Sequence, residues 1–385
     1  MTDVIEGTAA TGFEEVGSAF ADAFAGRPTM GAALSVRIDG RRVVQLWGGV
    51  KDERDGQAWT ADTASVVFSC TKGVMSILVA RLVQDGLLDY EAPVSRYWPE
   101  FAAAGKGDVT VAELLSHRAG LSALRERLTL DQALDWETVT GFLAAQEPLW
   151  RPGSGYAYHA LTHGWLAGEL VRRVTSTMPG AYLASVAAPW SDNLWIGLPA
   201  GRADRVAHLQ ASESQREAGE QLEQAESPWT ALAMTLGDAF PPELVTPEGG
   251  FNDSRVRAAQ IPGAGGIATA DALASLWSST VVETDGVRVL DDDVLDAGLI
   301  PMSGGEPVFP TPGPWPRWAR SFQLDSEARR YLGPSSLGHD GAGGQVAFAD
   351  RDARVGFAFV TNWMEAGADE RATNIVAALK RTLAG

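Results

Sequence analysis

The run Ser69-Cys70-Thr71-Lys72 sets a hydroxyl and an amine three residues apart, at the head of the mostly apolar stretch Gly73 to Ala80. A serine hydroxyl is a weak nucleophile until a neighbouring base takes its proton. On a helix, position i+3 lies one turn away and within reach. Only four of the 31 cationic residues are lysine. A guanidinium keeps its charge at any accessible pH, whereas a desolvated ammonium can lose its proton and act as a base. The alternative is a helix-capping serine and a surface lysine. With 24 serines and four lysines, chance alone supplies roughly a quarter of a Ser-x-x-Lys match, so the reading depends on partners.

Two further segments offer them. Pro152-Gly153-Ser154-Gly155-Tyr156-Ala157-Tyr158-His159-Ala160 carries a phenol that a nearby lysine cation would acidify toward a general base; the alternative is two tyrosines that simply pack. Gly338-His339-Asp340-Gly341-Ala342-Gly343-Gly344 leads into a strand, and its small residues would let substrate approach backbone N–H groups able to stabilise an oxyanion. The bland reading is a glycine-rich turn. His159 and His163 are four residues apart, but no His-Glu-x-x-His pattern or third ligand accompanies them, so no metal is expected. His117 is expected to make structural hydrogen bonds. Cys70 lacks a histidine partner in its motif and is read as packing. A Gly-x-Ser-x-Gly pentapeptide is absent from the sequence, which argues against an α/β-hydrolase.

The positioning elements follow from hydrophobic period and turn residues. Phe13, Val16, Phe20 and Phe24 predict a helix over 9–25. Strands are predicted at 32–38 and 43–49 around Asp39-Gly40, and at 345–349 and 355–361 around Asp350-Arg351-Asp352, with a closing helix at 373–383. Neither terminal hairpin is stable alone. The expectation is therefore one antiparallel sheet joining both ends of the chain, with the terminal helices packed on it. Helices are predicted at 74–84, 111–115 and 161–174. The polar stretch 211–226 reads as a solvated helix or flap rather than a lid, and the proline-rich 309–318 as extended and stiff.

Composition narrows the function classes. At 385 residues with 45% hydrophobic content, the chain suits one elaborated domain or two joined ones. A net charge of -18 disfavours nucleic acid and anionic membranes as partners. One cysteine excludes an internal disulfide and fits a reducing compartment. Without a visible signal peptide or apolar span, a cytoplasmic protein is expected.

Taken in order, Ser69-x-x-Lys72, Tyr158 after Pro-Gly, and His339-Asp340-Gly341 resemble the serine β-lactamase and penicillin-binding-protein superfamily, most nearly class C β-lactamases and family VIII carboxylesterases. Leu114-Leu115-Ser116-His117-Arg118-Ala119-Gly120-Leu121 and Gly265-Gly266-Ile267-Ala268-Thr269 are also similar to family sequence. The resemblance implies an α+β fold: a β-lactamase-like antiparallel sheet flanked by helices, with a mainly helical second region. The expected division is 1–84 with 170–385 as the α/β part and 85–169 as the helical part. It further implies Ser69 as acylated nucleophile, Lys72 as its proton partner, and Tyr158 as general base. The N–H groups of Ser69 and Ala342 would form the oxyanion hole, with His339 and Gly341 beside substrate.

Departures from the pattern bear on substrate. Ala160 stands where lactamases carry the asparagine of Tyr-x-Asn, and His339 where many relatives have lysine. With no export signal visible, these point to esters of small, largely uncharged acids, with a small-molecule ester as the only expected partner and no cofactor. Trp315, Trp318 and Trp363, among 13 tryptophans, are the candidate acyl-pocket residues. A β-lactamase, D-amino peptidase or amide hydrolase with the same machinery is the alternative, and a non-catalytic acylated sensor the third reading. The oligomeric state is left open.

Overall fold

A computed structural model describes residues 5–385 apart from residue 368. Strands Gly31–Ile38 and Arg41–Asp52 form a hairpin that turns at Asp39 and Gly40, whose φ values of 51° and 75° fit the type I′ turn that matches strand twist. Near the other end, Gln345–Asp350 and Val355–Thr361 pair antiparallel. The two hairpins join directly: Val355–Thr361 runs antiparallel to Gly31–Ile38, from Val355 opposite Ile38 to Thr361 opposite Ala32. Sheet pairing thus ties the N-terminal and C-terminal segments together, as the sequence predicts.

The sheet extends outward on both sides. Ile5–Ala9 adds an edge strand against Arg41–Asp52, in a stretch whose small and polar residues gave no strand signal. On the opposite side come Ser336–Gly341, Gln323–Leu324, Arg317–Ala319 and Pro301–Ser303. The bland alternative at 338–344 was a glycine-rich turn entering the strand at Gln345. The structure instead puts His339 and Asp340 on a strand opposite Ala347 and Val346, with only Ala342–Gly344 making the turn. Cross-strand pairing along one register outweighs the low strand preference of glycine.

Period-two alternation gives the sheet two unlike faces. Leu34, Val36, Phe348, Phe357 and Phe359 point to one side, where the terminal helices Glu14–Asp22 and Arg371–Ala384 bury Val16, Phe20, Ile375 and Leu379 against them. The first of these helices is shorter than its apolar spacing suggests. Ala33, Ala347, Ala349 and Ala358 point the other way. Their small side chains let helix Ala270–Val281, absent from the sequence expectations, lie close to the sheet. The inner apolar core continues from this face through helix Cys70–Gln84 to the helices of 111–171, so the catalytic candidates lie where sheet and helices meet.

Candidate active site

Ser69 stands immediately before helix Cys70–Gln84. The turn that delivers it is strained: Phe68, which carries a side chain, has a φ of 45°, a conformation costing about 1–3 kcal/mol. Surrounding contacts hold it there. Its ring packs edge-on against Phe251 at 5.1 Å, and the Thr71 hydroxyl donates to its carbonyl while accepting from the Gly266 amide. The Ser69 amide has no hydrogen-bond partner among the described residues. It is therefore a free donor at a helix N-terminus, where the dipole favours negative charge.

One helical turn on, the Lys72 ammonium donates to Ser69 Oγ at 2.9 Å and to the Gly263 carbonyl at 2.7 Å. Lys72 is 1% exposed. Burial lowers its pKa to about 7, against the opposing pull of the Asp340 carboxylate. Two glycines make this geometry possible. A Cβ on Gly73 would lie 2.5 Å from the Trp277 ring and 3.1 Å from His339 Cβ. A Cβ on Gly164 would fall 1.9 Å from the backbone nitrogen of Gly263. Helix Thr162–Thr175 can thus press on the loop that presents the Gly263 carbonyl.

Tyr158 completes the group. Lys72 Nζ is 4.8 Å from the centre of its ring, which stacks on Trp318 at 5.5 Å. Three imidazoles brace the segment that carries it. The His159 amide donates to His117 Nδ1, the Leu121 amide donates to His159 Nε2, and His159 Nδ1–H donates to the Ala157 carbonyl. The His163 ring packs against His117 in a tilted arrangement at 5.0 Å. His117 itself adopts φ 66° and accepts the Ala157 amide on its carbonyl, so the structural role read for it extends to holding the tyrosine segment. Pairing of His159 and His163 suggested a shared helix face. They serve instead as neutral packing groups, and among the described residues no cluster has the makeup of a metal site.

The electrostatics differ from the sequence expectation at one point. A phenol beside lysine was expected to be acidified, but burial pushes the Tyr158 phenol above its usual value, against the hydrogen bond from its Ser69 neighbour. Burial likewise lowers His159 and His339 to about 4 and His117 and His163 well below their usual value. Near neutral pH the Lys72 amine is then the titrating group of the site. Cys70 is fully buried, donates to the His339 carbonyl at 3.2 Å, and burial raises its thiol pKa. It is inert packing.

His339 presents its ring to the same space. Its Nδ1–H donates to the Asp340 carbonyl at 2.6 Å, and Nε2 has no partner. On Asp340 burial acts upward, but Arg329 holds the carboxyl below its ordinary value. The His339 position therefore offers a neutral nitrogen lone pair rather than a cation.

Ser69, Tyr158, His339, Gly341 and Ala342 all line one cavity of about 630 Å³. Trp315 and Trp318 line it too. Trp363 does not: it lines a separate cavity of about 540 Å³ with His208 and Glu243. Pairing of Trp363–Met364 with Gln210–Ala211 turns it away, a placement that sequence proximity to His339 does not reveal. Two segments roof the catalytic cavity. Helix Glu213–Glu223 turns Gln215, Ala218, Gly219 and Leu222 inward, so the polar stretch read as a solvated helix or flap is a helix whose inner face covers the cavity. Helical spacing of those four residues was the available signal, hidden by the acidic outer face. Opposite it, Pro307, Phe309 and Trp315 come from the proline-rich strap. The strap is pinned where the Val308 amide donates to the Tyr156 carbonyl and the Tyr156 hydroxyl to the Gly305 carbonyl.

The model of the Beta-lactamase family matches residues 19–381. This chain belongs to that family. Esterase/beta-lactamase LipL of Mycobacterium tuberculosis is 35% identical over 379 residues, covering 92% of this chain and 82% of LipL. The crystal structure of a family VIII carboxylesterase superposes with a TM-score of 0.87 at 34% identity, over 98% of this chain and all of the other. A penicillin-binding protein homologue from Caulobacter crescentus gives 0.83 at 33% identity, again over 98% and 100%. Within this Beta-lactamase family the sheet with helices on both faces is the β-lactamase-like α+β fold. No helix among the described residues is long and apolar enough to cross a membrane.

Proposed function

We propose that this chain is a serine carboxylesterase working through an acyl-enzyme on Ser69. The observation that carries this reading is the buried contact of 2.9 Å between Lys72 Nζ and Ser69 Oγ at the floor of a 630 Å³ cavity. With a pKa of about 7, Lys72 is neutral in about half the molecules at neutral pH and accepts the serine proton as Oγ attacks the ester carbonyl. The carbonyl electrons move onto oxygen, where the Ser69 and Ala342 amides donate to the oxyanion. Collapse expels the alkoxide, which takes its proton from Lys72 through the Tyr158 hydroxyl. A water then attacks the acyl-serine, giving its proton to the same pair, and Ser69 leaves protonated. Tyr158, kept neutral by burial, serves as the relay and Lys72 as the proton store.

Ester rather than lactam chemistry is favoured by the groups around the nucleophile. Ala160, buried and apolar, offers no amide for an acylamino group. His339 offers a neutral lone pair where a cation would hold a carboxylate. The similar family VIII carboxylesterase supports the same reading, while LipL carries both esterase and beta-lactamase in its name.

The test is hydrolysis of p-nitrophenyl acetate by the wild type and by Ser69→Ala, with nitrocefin and D-alanyl peptides alongside. The expected result is ester turnover abolished by the substitution and little or no turnover of the lactam or peptide. Full activity in Ser69→Ala defeats the proposal, and nitrocefin turnover rivalling the ester moves the function to lactam hydrolysis.

A further inference from the structure

The cavity is larger and more apolar than esters of small acids require. Within it, Ala160 and Ala233 join Ala123 in a small apolar cluster, with Leu149, Trp229 and Met234 packed against it. Tyr156, Leu222 and Phe309 add apolar lining. The polar lining gathers elsewhere, where Arg329 donates to the Asp340 carboxylate and the Asp340 amide to Gln323. Ser69 therefore shares its cavity with an apolar cluster floored by alanine methyl groups.

Size decides what this space suits. A cavity of about 630 Å³ lies within the size range of sites that enclose a drug-sized ligand. An acetyl group would leave most of that space to water held against aromatic walls, whereas apolar contents are favoured there. A p-nitrophenyl ester of an acid with about eight to ten carbons is a ligand of that size.

Resting on the acyl-serine reading above, we infer that the preferred substrates are esters of medium-sized apolar acids, of octanoyl or phenylpropanoyl size, whose acyl group lies between Ala160, Ala233 and Trp229. Ala160 and Ala233 are then the specificity-determining positions. Bulk at either one shortens the acyl group that fits.

The experiment measures kcat/KM for p-nitrophenyl acetate, butyrate, octanoate and 3-phenylpropanoate with the wild type, Ala160→Phe, Ala233→Phe and Ser69→Ala. Each buried methylene is worth about a fourfold gain, so at least a tenfold preference for octanoate over acetate is expected in the wild type. Either phenylalanine variant should lower the octanoate-to-acetate ratio tenfold or more. Ala233→Leu replaces a variant that does not fold. An optimum at acetate in the wild type, or a ratio unmoved by bulk at both alanines, overturns the inference while leaving the acyl-serine reading intact if Ser69→Ala is dead. Undiminished turnover by Ser69→Ala overturns both.

Discussion

Replacing Lys72 by methionine should make the protein more stable and nearly inactive, with a stability gain that depends on pH in a calculable way. The native pKa of about 7 lies below the ordinary 10.5. Each unit of difference is worth about 1.4 kcal/mol, so holding a protonated Lys72 in the folded state costs about 5 kcal/mol below pH 7 and about 4 kcal/mol at pH 7. Between the two pKa values the unfolded chain binds more protons than the folded one. Wild-type stability therefore rises with pH across that window, and the cost fades to nothing above 10.5. Methionine removes the cost but strands the Gly263 carbonyl, which now accepts from Lys72, a loss of about 1–3 kcal/mol. The net expectation is a gain of about 1–3 kcal/mol at pH 7, smaller by about 3 kcal/mol near pH 9 than near pH 6. Urea unfolding of both proteins at the two pH values measures it. Activity should fall by at least 10²–10⁴-fold, the worth of a positioned base, and wild-type kcat/KM should climb with pH through about 7. A gain that is the same near pH 6 and near pH 9, or a wild-type profile flat across neutrality, refutes the claim that Lys72 is a desolvated base.

Gly164→Ala should cost stability and kcat together, because its Cβ would lie 1.9 Å from the Gly263 nitrogen and displace the carbonyl that anchors Lys72. Overpacking of this kind costs about 1–3 kcal/mol, read as a lowered midpoint in thermal unfolding. Cys70, with no exposed surface, should ignore a bulky thiol reagent in the native enzyme and react at once in urea; rapid native labelling with loss of activity would contradict the buried, inert thiol.

Much of the site was legible because its signals are local. Ser69 and Lys72 are tied by one helical turn, and the apolar residues behind them forecast the burial that lowers the lysine. Tyr158 and the His339 segment were legible as residues but not as an environment. The acidified phenol expected from the neighbouring lysine gave way to a raised one, because burial is set by Trp318, His117 and the strap, none adjacent in sequence. That helix Glu213–Glu223 covers the cavity was missed for a related reason: Gln215, Ala218 and Gly219 are too small or polar, and Leu222 too isolated, to register as an apolar face until a cavity lies under them. Trp363 was misplaced because nearness along the chain to a site strand does not say which way a side chain turns.

The sequence by itself determined the two terminal hairpins and the setting of Ser69 and Lys72 one helical turn apart, because turn chemistry, side-chain period and helical spacing act over a few residues. Only the tertiary structure decided how many protons the site holds and how much room it offers. Those quantities depend on desolvation and on walls drawn from distant segments around Ser69, among them Tyr156 and Tyr158, helix Glu213–Glu223, Trp229, the proline-rich strap, Arg329 and His339. Dielectric and volume are properties of the packed assembly, and no stretch of chain carries them alone.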